Sequence, residues 1–303
     1  MTRFNNKILL IALVVLLSGF VLSKLFRSPG RERNLKVKLL ALDTAKVSSI
    51  HIAPAADGKK VVRLIRTGNS WTVDNGQHNA KVELIGVKNA LGAVAEIRPT
   101  RMITQKKDKW DTYNVDSTGT HVKVFTGESV AEEFWVGKNI AGANFIRLDD
   151  DNEVYEVSVP IESYFNKTFS EWRDKSFTRL EPEKVSAINF QYPGDSSFVL
   201  RQEKNKWRSD NIEVDSASVA RYLSKLRSKQ IPRFEENFVP QAEASHKLSF
   251  SNDSGEMLTV HAWSAPEGKW ILTSSLQNEV YFSTKDSSLI RDLLPGRKAF
   301  SKM

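Results

Sequence analysis

The chain has 303 residues, 40% of them hydrophobic, with 7 Trp and 16 Phe, which is room for about two folded domains and too apolar for a disordered chain. Its formal charge is +8, but Arg3 and Lys7 supply two of those charges, residues 24–38 supply a net five, and the remaining 265 residues carry only one. A near-neutral body excludes a nucleic-acid face, and the absence of cysteine excludes disulfide scaffolds, thiolate metal sites and cysteine nucleophiles.

Residues 1–7 read as a short cytoplasmic tail. Ile8–Leu22 is an uncharged run that Lys7 and Lys24 can extend by snorkelling towards the ~20 residues a bilayer requires. The rival is a cleaved signal peptide, but Ser23-Lys24-Leu25-Phe26 offers no small-residue cleavage site. We therefore expect a transmembrane signal anchor at 8–23, a basic juxtamembrane linker at 24–38 and a body outside the cytoplasm, on the inner membrane. Basic residues lie on both flanks of the anchor, but long domains translocate largely regardless of flanking charge.

From Leu39 the pattern is that of a folded body. Val47–Ala53, Val61–Arg66 and Ser70–Val73 predict three short strands, with turns at Asp57-Gly58 and Gly68-Asn69. Val82, Ile85, Val87, Leu91, Val94 and Ile97 predict an amphipathic helix of about four turns. Thr104–Thr118 reads as a short helix and loop with Trp110, Tyr113 and Val115 as buried anchors. Strands follow at His121–Phe125, Glu133–Val136, Phe145–Leu148 and Val154–Val157, then a helix over Pro160–Glu171.

The chain then repeats itself. Val47-Ser48-Ser49-Ile50 recurs as Val185-Ser186-Ala187-Ile188, Asn69-Ser70-Trp71 as Asn205-Lys206-Trp207, and Asn152-Glu153-Val154-Tyr155 as Asn278-Glu279-Val280-Tyr281. A helix is expected after Asp215 and Ser216, strands at His246–Phe250, Met257–Trp263, Lys269–Thr273 and Val280–Ser283, and a last helix at Ser287–Leu294. The expected fold is α+β: an N-terminal anchor followed by two tandem, internally duplicated domains of short antiparallel sheets with amphipathic helices, at 39–178 and 179–303.

Chemistry-bearing motifs are sparse. The five histidines His51, His78, His121, His246 and His261 match no metal-ligand spacing, and strand-end hydrogen bonding accounts for His121 and His246 better than ligation does. Asp149-Asp150-Asp151-Asn152 lacks the alternation of a calcium loop and reads as a hairpin turn. Gly137–Gly142 lacks the phosphate-loop order, and no nucleophile elbow occurs. The chain is accordingly read as a non-enzyme with no cofactor. Trp71 and Trp207, with Tyr155 and Tyr281, are the candidate interaction or groove residues, since aromatic pairs line carbohydrate or peptide grooves as well as cores.

The apolar anchor, Leu39-Leu40-Ala41-Leu42-Asp43 leading into Val47–Ile52, Trp71 followed by a helix, and Trp172-Arg173-Asp174-Lys175-Ser176-Phe177 before a second Val-Ser-Ala-Ile strand together carry a resemblance. The sequence resembles a bacterial family of membrane-anchored proteins of unknown function whose genes sit beside gliding-motility-type ABC transporter genes. The resemblance implies an extracytoplasmic accessory subunit that meets lipid through its N-terminal helix and meets an ABC permease and an auxiliary envelope protein through its body. It transfers no catalytic or binding residues. The alternative is a periplasmic polysaccharide- or peptide-binding module.

Overall fold

Alternation of β-branched and polar residues builds most of this molecule. In Val47-Ser48-Ser49-Ile50-His51-Ile52, Ile50 and Ile52 are fully buried while His51 between them is half-exposed, which is the period-two signature of a strand with one covered face. The computed structural model describes residues 37–302 apart from 211. The tail at 1–7, the anchor at 8–23 and the linker through residue 36 lie outside the described residues, among which no helix is long and apolar enough to cross a membrane.

Two antiparallel sheets carry the fold. The first contains β1 (Val47–Ala53), β2 (Val62–Thr67), β3 (Ser70–Asp74), β4 (Asn79–Lys81), β5 (Pro99–Thr104), β6 (Thr120–Thr126), β7 (Ser129–Val136), β8 (Asn144–Leu148) and β9 (Val154–Val157), in the order β4-β3-β2-β1-β6-β7-β8-β9-β5. The second contains β10 (Ala187–Gln191), β11 (Phe198–Glu203), β12 (Lys206–Ser209), β13 (Ile212–Glu213), β14 (His246–Asn252), β15 (Gly255–Ser264), β16 (Trp270–Ser274) and β17 (Gln277–Thr284), in the order β13-β12-β11-β10-β14-β15-β16-β17. With few helices beside these sheets, the fold class is α+β.

The chain resolves into two compact units. One comprises the described residues up to Ser70 together with Ile85–Lys167; the other comprises Trp71–Leu84 together with the residues from Thr168 onwards. Helix α1 (Leu84–Ala95) belongs to the first unit from Ile85 onwards, and in that unit Ile50, Leu64, Val122, Val124, Phe134, Ile146 and Tyr155 are wholly buried. Gly119 marks the tightest backbone approach there: a Cβ at that position would lie 1.7 Å from the Asn114 carbonyl oxygen. In the second unit, helix α5 (Ser216–Leu226) is capped by Asp215, whose carboxylate accepts the Ala217 N–H, and it buries Val219, Tyr222, Leu223 and Leu226. Phe190, Phe198, Tyr222, Phe250 and Phe300 interlock in that core, and the Tyr222 hydroxyl donates to the Leu293 carbonyl at 3.1 Å.

The second sheet's last strand is covered. Glu235 N donates to Tyr281 O at 2.8 Å, Ser283 N donates to Arg233 O at 3.0 Å, and Phe234 forms a bridge with Phe282. Arg173, which is 5% exposed, anchors this segment by pairing with Glu236 and stacking 3.6 Å above the Phe234 ring. The residues flanking Arg173 are tied down as well: Glu83 N donates to Trp172 O and Asp174 N to Lys81 O, both at 2.8 Å.

Three expectations need correction, and one strand goes beyond them. The first helix is 12 residues long, and its buried stripe is Gly86, Val87, Ala90, Ala93 and Val94, while Leu84 and Ile85 are each 57% exposed. Small residues let the helix lie close, so the largest apolar side chains do not mark its inner face. The helix expected over Pro160–Glu171 is two short ones, α3 (Ile161–Phe165) and α4 (Phe169–Trp172), because Thr168 starts the second with a reciprocal capping box to Glu171. A third short helix, α2 (Trp110–Tyr113), holds Trp110 and Tyr113 only partly buried, whereas Val115 is fully buried. Strand β5 is unforeseen: Pro99 and Arg101 interrupt its alternation, and it forms by pairing with the distant β9.

Candidate functional site

Side chains that alternate with the buried ones must point away from the core, so the outward rows of the two sheets are where polar chemistry collects. In the first sheet, Val122, Val124, Phe134 and Val136 are buried, leaving His121, Lys123, Glu133 and Trp135 on the opposite face. His121 pairs across with Trp135, Trp135 with Arg147, and Lys123 with Glu133.

These outward groups close on one another. His121 Nε2 donates to Glu133 Oε1 at 2.8 Å, which places a proton on Nε2, and its ring lies flat on Trp135 with centroids 4.1 Å apart. Lys123 Nζ lies 3.0 Å from the same Glu133 oxygen. Trp135 Nε1 donates to Asp149 Oδ1 at 2.7 Å. Arg147, 4% exposed, donates through Nε to Val115 O and through one Nη to the carbonyls of Leu148, Asp149 and Asp151, while its guanidinium sits 3.9 Å above the Trp110 ring. Those bonds fix the turn at Asp149–Asn152. Burial holds the His121 imidazole below its ordinary pKa, opposed by Glu133.

His121, Glu133 and Asp149 bring three ligand atoms within 4.8 Å of one another, which is the spacing of a metal centre. The surroundings argue otherwise. Both carboxylates already accept N–H donors, Lys123 is ion-paired to Glu133, and the guanidinium of Arg147 lies in the field of Asp149. A divalent ion would enter a cluster whose two negative charges are already matched by two positive ones. The cluster is a self-satisfied ladder.

The second sheet treats its outward row differently. Gln191, Lys247 and His261 face one another directly across β10, β14 and β15. Above them opens a cavity of about 810 Å³, roofed by the irregular stretch Pro240–Ser245 and walled by Tyr192 and Trp263. Both aromatic walls are pinned: Trp263 Nε1 donates to Ala242 O at 3.0 Å, and the Tyr192 hydroxyl donates to Pro295 O at 3.1 Å. Among the described residues, the side chains of Gln191, Lys247 and His261 make no hydrogen bond or ion pair. Burial, and next Lys247, hold His261 below its ordinary pKa, with Glu256 opposing. At the rim, Ser245 Oγ contacts His246 Nδ1 at 3.0 Å, but the hydroxyl also donates to Ala262 O at 3.1 Å, a structural arrangement at a strand start.

A model of the family described as Domain of unknown function (DUF4340) matches residues 71–249, more than half of the chain. The chain belongs to that family. No curated protein and no solved structure matches it. The DUF4340 match begins in β3 and ends in β14, so it takes in the whole His121–Asp149 ladder and Lys247, and stops short of His261 and Trp263.

Within this DUF4340 chain the four aromatic candidates have different surroundings. Tyr155 is fully buried on β9, its hydroxyl bonded to Glu153, and Trp207 is 5% exposed in the second core. Trp71 lies half-buried on β3. Tyr281, half-buried on β17, packs against Trp263 at 6.0 Å and Phe238 at 5.0 Å, and so supports the cavity wall from behind. His121 and His246 differ too: His121 alternates with buried Val122, whereas His246 shares the parity of buried Leu248 and Phe250. Sequence reasoning missed Trp135, Arg147, Lys247 and Trp263. For Trp135 a signal existed, since a tryptophan between two core positions of a strand must face outward.

Proposed function

We propose that this DUF4340 protein is a non-enzymatic, membrane-anchored extracytoplasmic accessory subunit of an ABC-type, gliding-motility-type envelope transport system. The observation that carries this reading is the uncharged run at 8–22 ahead of a near-neutral, two-sheet body. The resemblance in the sequence adds the transporter context. The ladder around Trp135 speaks against catalysis at that place, because its histidine and carboxylates are tied to one another. Its partners are lipid at the anchor, an ABC permease and an auxiliary envelope protein. Purification of the intact protein from its native membrane in mild detergent, with crosslinking, tests this. A permease and an ATP-binding subunit at near-stoichiometric levels are the expected result; recovery of the protein alone after crosslinking overturns it.

The two halves are, in this reading, products of an internal duplication. Supporting it, the run β2-β1-β6-β7-β8-β9 in one sheet and β11-β10-β14-β15-β16-β17 in the other follow the same order. Ile50 sits between Leu64 and Val124 as Ile188 sits between Leu200 and Phe250. Replacing Val47–Ile52 by the sequence of Val185–Phe190 should then leave the protein folded, and loss of the cooperative unfolding transition would count against common origin.

The second reading, a periplasmic polysaccharide- or peptide-binding module, is favoured by one observation, the aromatic-walled cavity over β14 and β15. The two readings are compatible, since an accessory subunit can present a ligand to its transporter.

A further inference from the structure

A cavity of about 810 Å³ is within the range of small-molecule and oligomer sites, which combine apolar walls with a few convergent polar groups. What distinguishes this one is the state of its floor. In the first sheet the outward row pairs with itself: Lys123 with Glu133, Glu133 with His121, Trp135 with Asp149. In the second sheet the outward row Gln191, Lys247, His261 has, among the described residues, no such partners, although Lys247 and His261 are half-buried. Half-buried donors in a row under a cavity are available to a ligand at little reorganisation cost, because the strands already hold them in place.

The ligand's chemistry follows from the groups. Lys247 and Gln191 are donors, and His261 beside them offers a ring N–H, a set that suits a carboxylate. Trp263 presents an indole whose N–H is committed to Ala242, so what remains for a ligand is its ring surface, which suits the C–H face of a pyranose. Glu243, also in the lining, can accept hydrogen bonds from hydroxyl groups and disfavours a second negative charge on the roof side. The geometry points to a binding site for a carboxylated oligosaccharide in the cavity over β10, β14 and β15, with the carboxylate on Lys247 and Gln191, a sugar ring on Trp263 and sugar hydroxyls on Glu243. This deepens the polysaccharide side of the binding-module reading and does not depend on the transporter assignment, since it is tested on the purified protein alone.

The test is calorimetric titration of the intact, detergent-solubilised protein with oligogalacturonate, oligomannuronate and sialyllactose, with maltotriose as a neutral glycan and hexaglutamate as an acidic peptide. At least one carboxylated glycan should saturate the protein. Lys247→Gln, which removes a charge but no core contact, should weaken it by about tenfold or more, the loss expected for one charge-assisted hydrogen bond. Trp263→Phe should also weaken it; since Trp263 packs on Phe238 and Tyr281, circular dichroism of that variant must first show an unchanged fold. No saturable binding to any of the three carboxylated glycans overturns the proposal, as does binding that Lys247→Gln leaves unchanged. Equal binding of maltotriose removes the carboxylate from the assignment, and preferential binding of hexaglutamate makes this a peptide site; either result overturns the class proposed.

Discussion

The ion pair between Arg173 and Glu236 should show an asymmetry that its geometry dictates. The Arg173 side chain is 6% exposed, while that of Glu236 is 33% exposed. Replacing Glu236 by alanine strands a guanidinium among Phe234, at 3.6 Å, and Phe169, at 5.3 Å, where water cannot reach it. Breaking a buried pair in this way costs about 3–5 kcal/mol. The retained ring contacts offset part of that, on the order of 1–2 kcal/mol for a desolvated cation on aromatic faces, leaving about 2–3 kcal/mol. Replacing Arg173 by methionine keeps most of the volume and releases a carboxylate that rehydrates where it stands, so the loss should be nearer 1 kcal/mol. The double variant should then be less destabilised than the sum of the two, because the stranded charge is gone. Urea unfolding of the intact protein in detergent, followed by tryptophan fluorescence, measures all three. A larger loss for Arg173→Met than for Glu236→Ala would refute the argument, since it would mean that packing and not charge burial governs the site.

Other expectations are simpler. His51, His121, His246 and His261 are each held below their usual pKa of 6.5 by burial first of all, so the unfolded chain takes up their protons before the folded one. Their contribution is complete above about pH 6.5 and is lost as pH falls towards the lower folded values; His51→Gln should therefore show a smaller drop in urea midpoint between pH 7.5 and 5.5 than the parent, and an equal drop would contradict this. Gly119→Ala forces a Cβ to within 1.7 Å of a carbonyl oxygen and should cost about 3 kcal/mol or more, whereas Gly92→Ala, in a helix with open space around it, should stabilise by about 0.5–1 kcal/mol in the same assay. Arg147→Lys keeps the charge but not the planar fork over four carbonyls, and should cost about 2 kcal/mol while altering the emission of Trp110.

Strands were the legible part of this sequence. Val47–Ala53 and Val154–Val157 alternate or are β-rich enough that local pattern and tertiary pairing agree to the residue. Pattern failed where packing departs from size: Ala90 and Ala93 line the inner face of α1 while Ile85 faces out, because a helix can approach closely only through small side chains. It failed again at β5, whose hydrogen bonds come from β9, which is distant in the chain. The cavity was illegible for a related reason. Gln191, Lys247 and His261 have no diagnostic spacing, and only sheet register sets them side by side. Tyr281 drew attention as part of a repeated motif, but its place behind Trp263 follows from a contact that no spacing encodes.

The cover over β17 bears on how such a protein survives at high local concentration. A sheet grows by recruiting a foreign strand to an open margin, and that is how many β-rich chains polymerise. Here the margin at β17 is already occupied by Arg233–Glu235, held down through Glu236 and Arg173, and the opposite margin, β13, is two residues long. The second sheet therefore gives a neighbouring copy little to template upon. Loosening the Arg173 latch would expose that margin, so its variants should betray themselves as aggregates as well as by a lower unfolding midpoint.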